Sequence, residues 1–234
     1  MNRFFQAMAM GAMTALVPLT AQASPLVTYN DLSNFQSATG ATAEPAVPDD
    51  GKVINGSGTR TLGNLEFSLG GGGTSALFFG TDGVKTGFND WSSKLSGNAI
   101  ALSGPENMTL TIDSSGPLRA LGFEIHEPTE NNGLQIDSCN APCEDTTFEI
   151  ELFDGTGSIG MTTFNPADGT ADFFGVSLTS GGFTQLDITD RTGGIDNEFF
   201  GRVYSAEVPA PATVGLLGAG LVGLGVIARR RRRV

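Results

Sequence analysis

The sequence predicts an all-β protein, an antiparallel β-sandwich or jelly roll, and three observations support this prediction. Only 16% of the 234 residues are charged and 33 are glycine, which is typical of turn-rich β proteins rather than of helical bundles. Apolar and polar side chains alternate with a period of two in several short segments. No ten-residue helical pattern separates these segments, so βαβ units are disfavoured.

Four segments show the alternation expected of half-buried strands, with apolar residues on one face and polar residues on the other. Their apolar positions are Met108, Leu110 and Ile112; Leu121, Phe123 and Ile125; Phe148, Ile150 and Leu152; and Leu186 and Ile188. Turn residues punctuate the chain. The predicted turns are Gly70 to Gly73, Ser114-Ser115-Gly116-Pro117, Asp154-Gly155, Asp168-Gly169, Gly181-Gly182 and Gly193-Gly194.

The segment before these strands predicts one short helix followed by a loop. In YNDLSNFQSA, Asp31 is a suitable helix cap, and Leu32 and Phe35 lie one turn apart. Residues 40–63 are rich in Gly, Pro, Asp and Thr and predict a loop. The triplet Phe-Phe-Gly occurs at 78–80, 173–175 and 199–201, where we expect a strand that buries one Phe and bends at the glycine.

Charge is sorted along the chain. All 25 acidic residues lie between Asp31 and Glu207, and only seven of the 13 basic residues lie in the same region, so the body has a net charge of −18. Such a body repels phosphate backbones, which excludes nucleic acid as a partner. An acidic surface serves solubility or, less often, binds cations.

The N-terminal residues 1–23 have the three parts of a secretory signal peptide: an arginine, an apolar stretch and a small-residue site. Ala21 and Ala23 fit that site, so signal peptidase would leave Ser24 first after passage through the export machinery. A buried N-terminal helix is the alternative. Export brings the two cysteines, Cys139 and Cys143, into an oxidising compartment, where we expect a disulfide between them rather than a metal site.

The C-terminal residues combine a proline pair, an apolar run and a basic end. Residues 213–228 contain no charge, and five arginines follow at 229–233. As a helix the run spans about 24 Å, less than the roughly 30 Å hydrocarbon core. The arginines would hold that end in the cytoplasm.

This order of features resembles the PEP-CTERM sorting signal of exosortase substrates. Val208, Pro209, Ala210 and Pro211 correspond to the recognition tripeptide and its flank, although Ala210 stands where the name-giving glutamate is expected. Together with the signal peptide at 1–23, the resemblance divides the chain into three regions, the other two being an extracellular domain at 24–206 and a sorting signal at 207–234. It implies an intermediate anchored in the inner membrane of a Gram-negative-type bacterium, followed by cleavage and delivery to the cell surface or the exterior. A plain C-terminal membrane anchor is the alternative.

The body resembles, more loosely, carbohydrate-binding-like jelly rolls with structural calcium, on the opening segment YNDLSNFQSATG and the closing segment with Asp196 and Asn197. Calcium prefers hard oxygen ligands. The candidate ligands are Asp187, Asp190, Asp196 and Asn197, although an ordinary solvated loop explains them equally well. Trp91, in the loop-like GFNDWSSK, is the best candidate for stacking on a sugar.

Nothing in the sequence indicates a catalytic site. The single histidine, His126, is expected at a strand end, and no nucleophile motif accompanies it. We therefore expect a non-catalytic surface or matrix protein that binds glycan, calcium or neighbouring copies in an exopolysaccharide or biofilm setting. The alternative is a secreted polysaccharide hydrolase on the same scaffold, which needs two opposed carboxylates.

Overall fold

A computed structural model describes residues 25–55, 58–70, 76–80, 95, 97–103, 109–126, 147–167, 170–191 and 199–209. These residues form one helix and thirteen strands, so the all-β prediction is confirmed. The elements are β1 (Leu26–Tyr29), α1 (Leu32–Thr39), β2 (Thr42–Ala43), β3 (Lys52–Asn55), β4 (Thr59–Leu62), β5 (Leu65–Gly70), β6 (Ala76–Gly80), β7 (Ala99–Ser103), β8 (Thr109–His126), β9 (Phe148–Phe153), β10 (Ser158–Phe164), β11 (Ala171–Leu178), β12 (Phe183–Asp190) and β13 (Phe199–Glu207).

Strand β8 belongs to two sheets, because its two halves have different neighbours. Its first half pairs with β5 and β12, and its second half pairs with β11 and β13, all antiparallel. We call the first set the front sheet, with strand order β4-β5-β8-β12-β9-β10. The back sheet has the order β1-β11-β8-β13-β7-β6-β3, with β2 also paired to β13.

The two sheets pack their apolar faces against each other to form the main core. Aromatic pairs cross between them: Phe67 with Phe79, Phe148 with Phe200, and Phe164 with Phe174, whose ring centroids are 4.6 Å apart. All the predicted apolar positions of the four segments are buried in this core, except Met108, which lies outside the described residues. This face-to-face packing is that of a β-sandwich.

The helix forms where the sequence predicts it. The Asp31 side chain accepts a hydrogen bond from the backbone N–H of Asn34 at 2.8 Å, and the helix ends at Gly40 in the left-handed conformation. Phe35 is fully buried on the outer side of the back sheet. Its ring lies over Gly122 and Gly175, which face each other in the β8–β11 ladder. Because neither glycine has a Cβ, the helix can approach the sheet closely.

The prediction of a loop at 40–63 was wrong in part: residues 44–51 are outside helices and strands, but the region also contains β2, β3 and β4. These strands are short and include charged residues, so they show little hydrophobic alternation. An ion pair fixes the region instead, between the buried Arg60 and the half-exposed Asp50: the Nη1 and Nη2 atoms of Arg60 donate to Asp50, at 2.9 and 2.7 Å. Hydrogen bonding to Arg60 lowers the pKa of Asp50 to about 2. Arg60 also stacks 4.3 Å from the ring centre of Phe79.

The predicted turn at Ser114-Ser115-Gly116-Pro117 was wrong as well, because β8 runs through it. Asp113 pairs with Gln185 and Leu118 pairs with Phe183, so four residues of β8 face one residue of β12. The segment is therefore a large bulge. It lets the strand leave the front sheet and enter the back sheet.

The Phe-Phe-Gly triplets bury more than predicted. In the second and third triplets both phenylalanines are buried, one in the main core and one on the outer side of the back sheet. Only the first triplet leaves a Phe partly exposed, at Phe78. The expected bend occurs at Gly201, where the register of β13 against β8 shifts by one residue, but not at Gly175, which lies in an unbroken ladder between β11 and β8.

Candidate functional site

The outer side of the front sheet presents polar side chains in three rows that cross the strands, and we call this surface the front face. Period-two alternation sends the apolar residues of each strand inward and these residues outward. Strand pairing places them in line. The rows are Thr61, Glu66, Asp113, Gln185, Phe153 and Ser158; Thr59, Ser68, Thr111, Asp187, Glu151 and Met161; and Thr189, Glu149 and Thr163.

The front face is strongly acidic. It contains five carboxylates and no basic residue within its rows; they are Glu66, Asp113, Glu149, Glu151 and Asp187. Arg191, just beyond the end of β12, forms an ion pair with Glu149. Partial burial, with the negative charges of Asp187 and Glu66, raises the pKa of Asp113 above its ordinary value. Its neighbours therefore disfavour the charged form of Asp113.

The acidic residues are accompanied by neutral hydrogen-bonding groups and by some apolar surface. The amide nitrogen Nε2 of Gln185 donates to Oδ1 of Asp187 at 2.9 Å. Threonine and serine hydroxyls fill most of the remaining positions. Near the β10 edge, Phe153 is partly exposed and Met161 is 57% exposed. The front face can thus accept many hydrogen bonds and contact apolar atoms at one side.

The back sheet differs because its outer side is partly covered. Phe35 of α1 packs there against Phe173 and Tyr29, with ring centroids 5.3 Å apart in both pairs. A second apolar group covers the other end of this side; it consists of Leu95, Ala99, Ala101 and Phe199, with Phe78 against it. Among the residues that the structure describes, no such group covers the front face.

A smaller polar cleft of about 400 Å³ lies where α1 ends and β13 ends. The Ser205 hydroxyl donates to Glu44, and the amide nitrogen of Asn64 donates to Glu207 at 3.1 Å. Its lining residues are Thr39, Gly40, Thr42, Ala43, Glu44, Asn64, Ser205, Ala206 and Glu207. Each of its two carboxylates already accepts a hydrogen bond within the protein, and we assign the cleft no ligand.

Among the sequence-predicted calcium ligands, Asp187 lies at the centre of the front face and Asp190 ends β12. Asp196 and Asn197 lie outside the described residues, as do Trp91, Cys139 and Cys143. Within the part of the chain that the structure describes, no three His, Cys, Asp or Glu residues come together as a metal site requires. Calcium binding and the disulfide stay predictions.

His126 lies at the end of β8, as the sequence predicted, and is fully buried. Its Nδ1 atom is 2.9 Å from the carbonyl oxygen of Thr170. A carbonyl can only accept, so this contact places a proton on Nδ1. The ring packs near Phe199, with centroids 6.4 Å apart. These contacts give His126 a structural role at the strand end.

The junction between body and tail is fixed by two contacts of Val208. Its backbone N–H donates to the carbonyl oxygen of Pro117 at 3.0 Å. Its Cγ2 atom occupies the space beside Gly182, only 2.5 Å from where a Cβ would stand. Val208 and Pro209 are the last described residues of the predicted motif, whereas Ala210 and Pro211 lie beyond them.

The predicted processing sites are largely outside the described residues. Ala21, Ala23 and Ser24 lie outside them, and so does the predicted helix at 213–228. No helix among the residues that the structure covers is long and apolar enough to span a membrane.

Sequence reasoning identified Asp187 but missed its neighbours on the front face. Asp113, Glu149 and Glu151 were recognisable as the polar alternates of predicted strands, and Glu66 lies in a strand that was not predicted. Their proximity depends on the order β5-β8-β12-β9. Strand order in an antiparallel sheet leaves no local signal in the sequence.

Comparison with known proteins identifies the tail. Residues 207–233 match the family described as the PEP-CTERM protein-sorting motif. The resemblance seen in the sequence is thereby confirmed, and the departure at Ala210 does not prevent the match. The motif marks the chain as an exported protein that exosortase sorts in the cell envelope. No curated protein matches the chain.

Solved structures similar to the body include carbohydrate-binding modules. A family 29 carbohydrate-binding module is 14% identical with a TM-score of 0.41, covering 71% of this chain and 90% of that one. A family 11 module from Clostridium thermocellum, in complex with a β-1,3-1,4-mixed-linked tetrasaccharide, is 11% identical with a TM-score of 0.35, covering 72% and 98%. The enzymatically active domain of bacteriophage CBA120 tailspike protein 4 is 18% identical with a TM-score of 0.30, covering 61% and 18%. Because these scores are low, we argue function from the residues of this chain.

Proposed function

We propose that this exported protein is a non-catalytic surface protein whose front face binds an extracellular polysaccharide. The observation that supports the proposal most directly is the front face itself, where carboxylates, one amide and several hydroxyls lie side by side on adjacent strands. Carboxylates accept hydrogen bonds from sugar hydroxyls, and such charge-assisted bonds are about twice as strong as neutral ones. Phe153 and Met161 offer apolar contact for the C–H faces of a sugar ring.

The charge of the front face narrows the class of polysaccharide. Five carboxylates accompanied by one arginine repel polymers of uronic acids or sulfated sugars. Neutral glycans are not repelled by the carboxylates, and the positive charge of an amine-bearing glycan would be attracted by them. The proposed ligands are therefore neutral or amine-bearing polysaccharides in the matrix around the cell.

The test is a binding assay with three polysaccharide classes, neutral, amine-bearing and uronate, on the purified exported protein. We expect the first two to bind and the third to fail. Asp187→Ala should weaken binding by about tenfold, because it removes a charged acceptor worth about 1.5 kcal/mol. Asp187→Asn retains one acceptor oxygen, so it should weaken a neutral glycan less than Asp187→Ala does.

The matched control is Glu207→Gln, which alters an exposed carboxylate outside the front face. It should leave glycan affinity unchanged. Equal loss in Glu207→Gln and Asp187→Ala would mean that net charge, rather than the front face, governs binding. Unchanged affinity in Asp187→Ala would show that the front face is not the binding site. Hydrolysis of any bound glycan would contradict the non-catalytic function and support a polysaccharide hydrolase instead.

The finer steps of export belong to this proposal. We propose cleavage after Ala23, anchoring by the helix at 213–228 with the arginines at 229–233 in the cytoplasm, and cleavage near Pro211. Mass spectrometry of the protein from culture medium and from membranes tests them. A mature chain from Ser24 to a residue near Pro211 is expected, whereas an intact arginine tail in the final surface-exposed form would indicate a plain membrane anchor.

The body architecture and its environment complete the proposal. We propose that the sandwich is a jelly roll, that Cys139 and Cys143 form a disulfide, and that any bound calcium is structural. Surface delivery in an exopolysaccharide or biofilm setting follows from the sorting motif together with glycan binding. Mass mapping of the cysteines under non-reducing conditions tests the disulfide, and free thiols would contradict it.

A further inference from the structure

Strand β10 forms one edge of the front sheet. It pairs antiparallel with β9 from Ser158 to Phe164, and no other strand that the structure describes pairs with it. An edge strand presents a row of N–H and C=O groups to the side away from its partner. These groups can pair with another strand of suitable sequence.

The sequence of β10 lacks the usual protection of an edge. Natural edge strands carry charged side chains or prolines, or are interrupted by bulges. The seven residues SIGMTTF contain no charged residue and no proline, and the single register shift lies at one end, between Ser158 and Gly160. In contrast, the edge strands β4 and β3 include Arg60 and Lys52, and the remaining edge strand, β1, is only four residues long. Met161, at the centre of β10, is 57% exposed.

The absence of charge on β10 matters because the body is so acidic. Two copies with a net charge of −18 each repel wherever their carboxylates meet. If two β10 strands pair, the nearest front-face carboxylates, on β9, are separated by three strand spacings, or about 14 Å. This exceeds the Debye length of about 8 Å at physiological ionic strength, so salt screens most of the repulsion.

We propose that β10 is a self-association edge, where two copies of this chain pair their β10 strands antiparallel about a two-fold axis at Met161. In this register Met161 faces Met161 of the second copy, and Gly160 faces Thr162. The interface is the same on both copies, as a closed two-fold dimer requires. The two front sheets become one continuous sheet, and the two front faces lie side by side.

The pairing does not require glycan binding, but the two would reinforce each other. A single pair of strands buries less than the roughly 1,200 Å² of a stable interface, so the dimer is weak in dilute solution. Copies that wait in a membrane on their C-terminal tails are concentrated, which favours pairing. A long polysaccharide that spans two front faces would gain avidity for the same reason.

A cysteine placed at the two-fold axis tests the register directly. In Met161→Cys, the two new cysteines face each other with Cα atoms about 4.5–5.5 Å apart, within disulfide range. In the control Thr163→Cys, each cysteine lies four residues from its counterpart, or about 13 Å away. Non-reducing electrophoresis of the exported protein should show a covalent dimer for Met161→Cys only. Both variants contain the native cysteines, so Thr163→Cys also controls for exchange with them.

Three outcomes would overturn the proposal: no covalent dimer in Met161→Cys, equal dimer in Thr163→Cys, or a link that mass spectrometry maps to Cys139 or Cys143. Sedimentation velocity over a concentration series gives an independent measurement. The average mass of the wild type should rise with concentration, and Met161→Lys should weaken this dimerisation by about fivefold or more, because it sets two like charges opposite each other. Thr61→Lys, on the other front-sheet edge, is the matched control and should behave as the wild type. A mass that does not rise, or rises equally in Met161→Lys, contradicts the proposed edge.

Discussion

The close approach of α1 to the back sheet predicts that Gly175→Ala destabilises the domain. A Cβ at Gly175 would stand 2.7 Å from Cδ2 of Phe35 and 3.0 Å from Cε1 of Phe173. Neither ring can move freely, because Phe35 is fully buried between Phe173 and Tyr29. The added methyl group must therefore displace the helix.

Forcing an extra methyl group into a well-packed core costs about 1–3 kcal/mol. For a domain of this size, about 2 kcal/mol corresponds to a fall in Tm of about 4–8 °C. Equilibrium urea unfolding and thermal melts would measure both quantities. The control is Gly116→Ala, whose Cβ has no atom within 4 Å, and which should change the free energy of unfolding by no more than about 0.5 kcal/mol.

A second substitution separates the steric cause from a general loss of backbone freedom. Phe35→Leu removes the ring atoms that the new Cβ would strike, so Gly175→Ala should cost less in that background than in the wild type. The difference between the two costs is the coupling energy of the contact. If Gly175→Ala costs the same in both backgrounds, or no more than Gly116→Ala, the account of the helix contact is refuted.

Three further predictions follow from other contacts. Asp31→Ala removes the helix cap and should lower the free energy of unfolding by about 1 kcal/mol, whereas Asp31→Ser should largely preserve it. The pKa of Asp113 is raised by burial and by Asp187, so the folded protein loses stability as the pH rises through that pKa. Asp113→Asn should therefore stabilise the protein near neutral pH and lose this advantage below the ordinary Asp pKa of about 3.9. Urea unfolding at both pH values measures the difference in the free energy of unfolding. A variant that is less stable than the wild type at neutral pH would contradict the prediction. Gly182→Ala should displace Val208 and accelerate proteolysis at the junction, measured by limited digestion; an unchanged cleavage rate would show that Val208 is not held there.

The sequence was informative wherever a local pattern decides the structure. The cap at Asp31, the inward faces of the four predicted strands and the turn at Asp154-Gly155 all depend on neighbours within a few residues. The glycine at 155 has a φ of 85°, as a tight turn favours. Such features need no knowledge of the rest of the chain.

The missed features depend on contacts between distant segments. Glu66 and Asp113 become neighbours only because β5 pairs with β8, although 47 positions separate them in the sequence. Gly122 and Gly175 likewise look like ordinary strand residues in the sequence, because their role depends on Phe35 of α1, which packs over both of them. The front face and the helix contact could not be predicted without the strand order, because no local sequence pattern indicates which distant residues these side chains contact.

The bulge at residues 114–117 of β8, which the sequence predicted to be a turn, also holds the start of the C-terminal tail against the folded body. Glycine and proline here predicted a turn, but their effect is to release β8 from one ladder and pass it to the next. Pro117 lacks an N–H, which a bulge tolerates, yet its carbonyl oxygen is available and accepts the hydrogen bond of Val208. Gly182, in the neighbouring turn, leaves the space that the Val208 side chain fills. The same irregularity that joins the two sheets therefore fixes the first residue of the proline motif against the folded body. The matched sorting motif therefore begins at a defined point, directly at the surface of the sandwich.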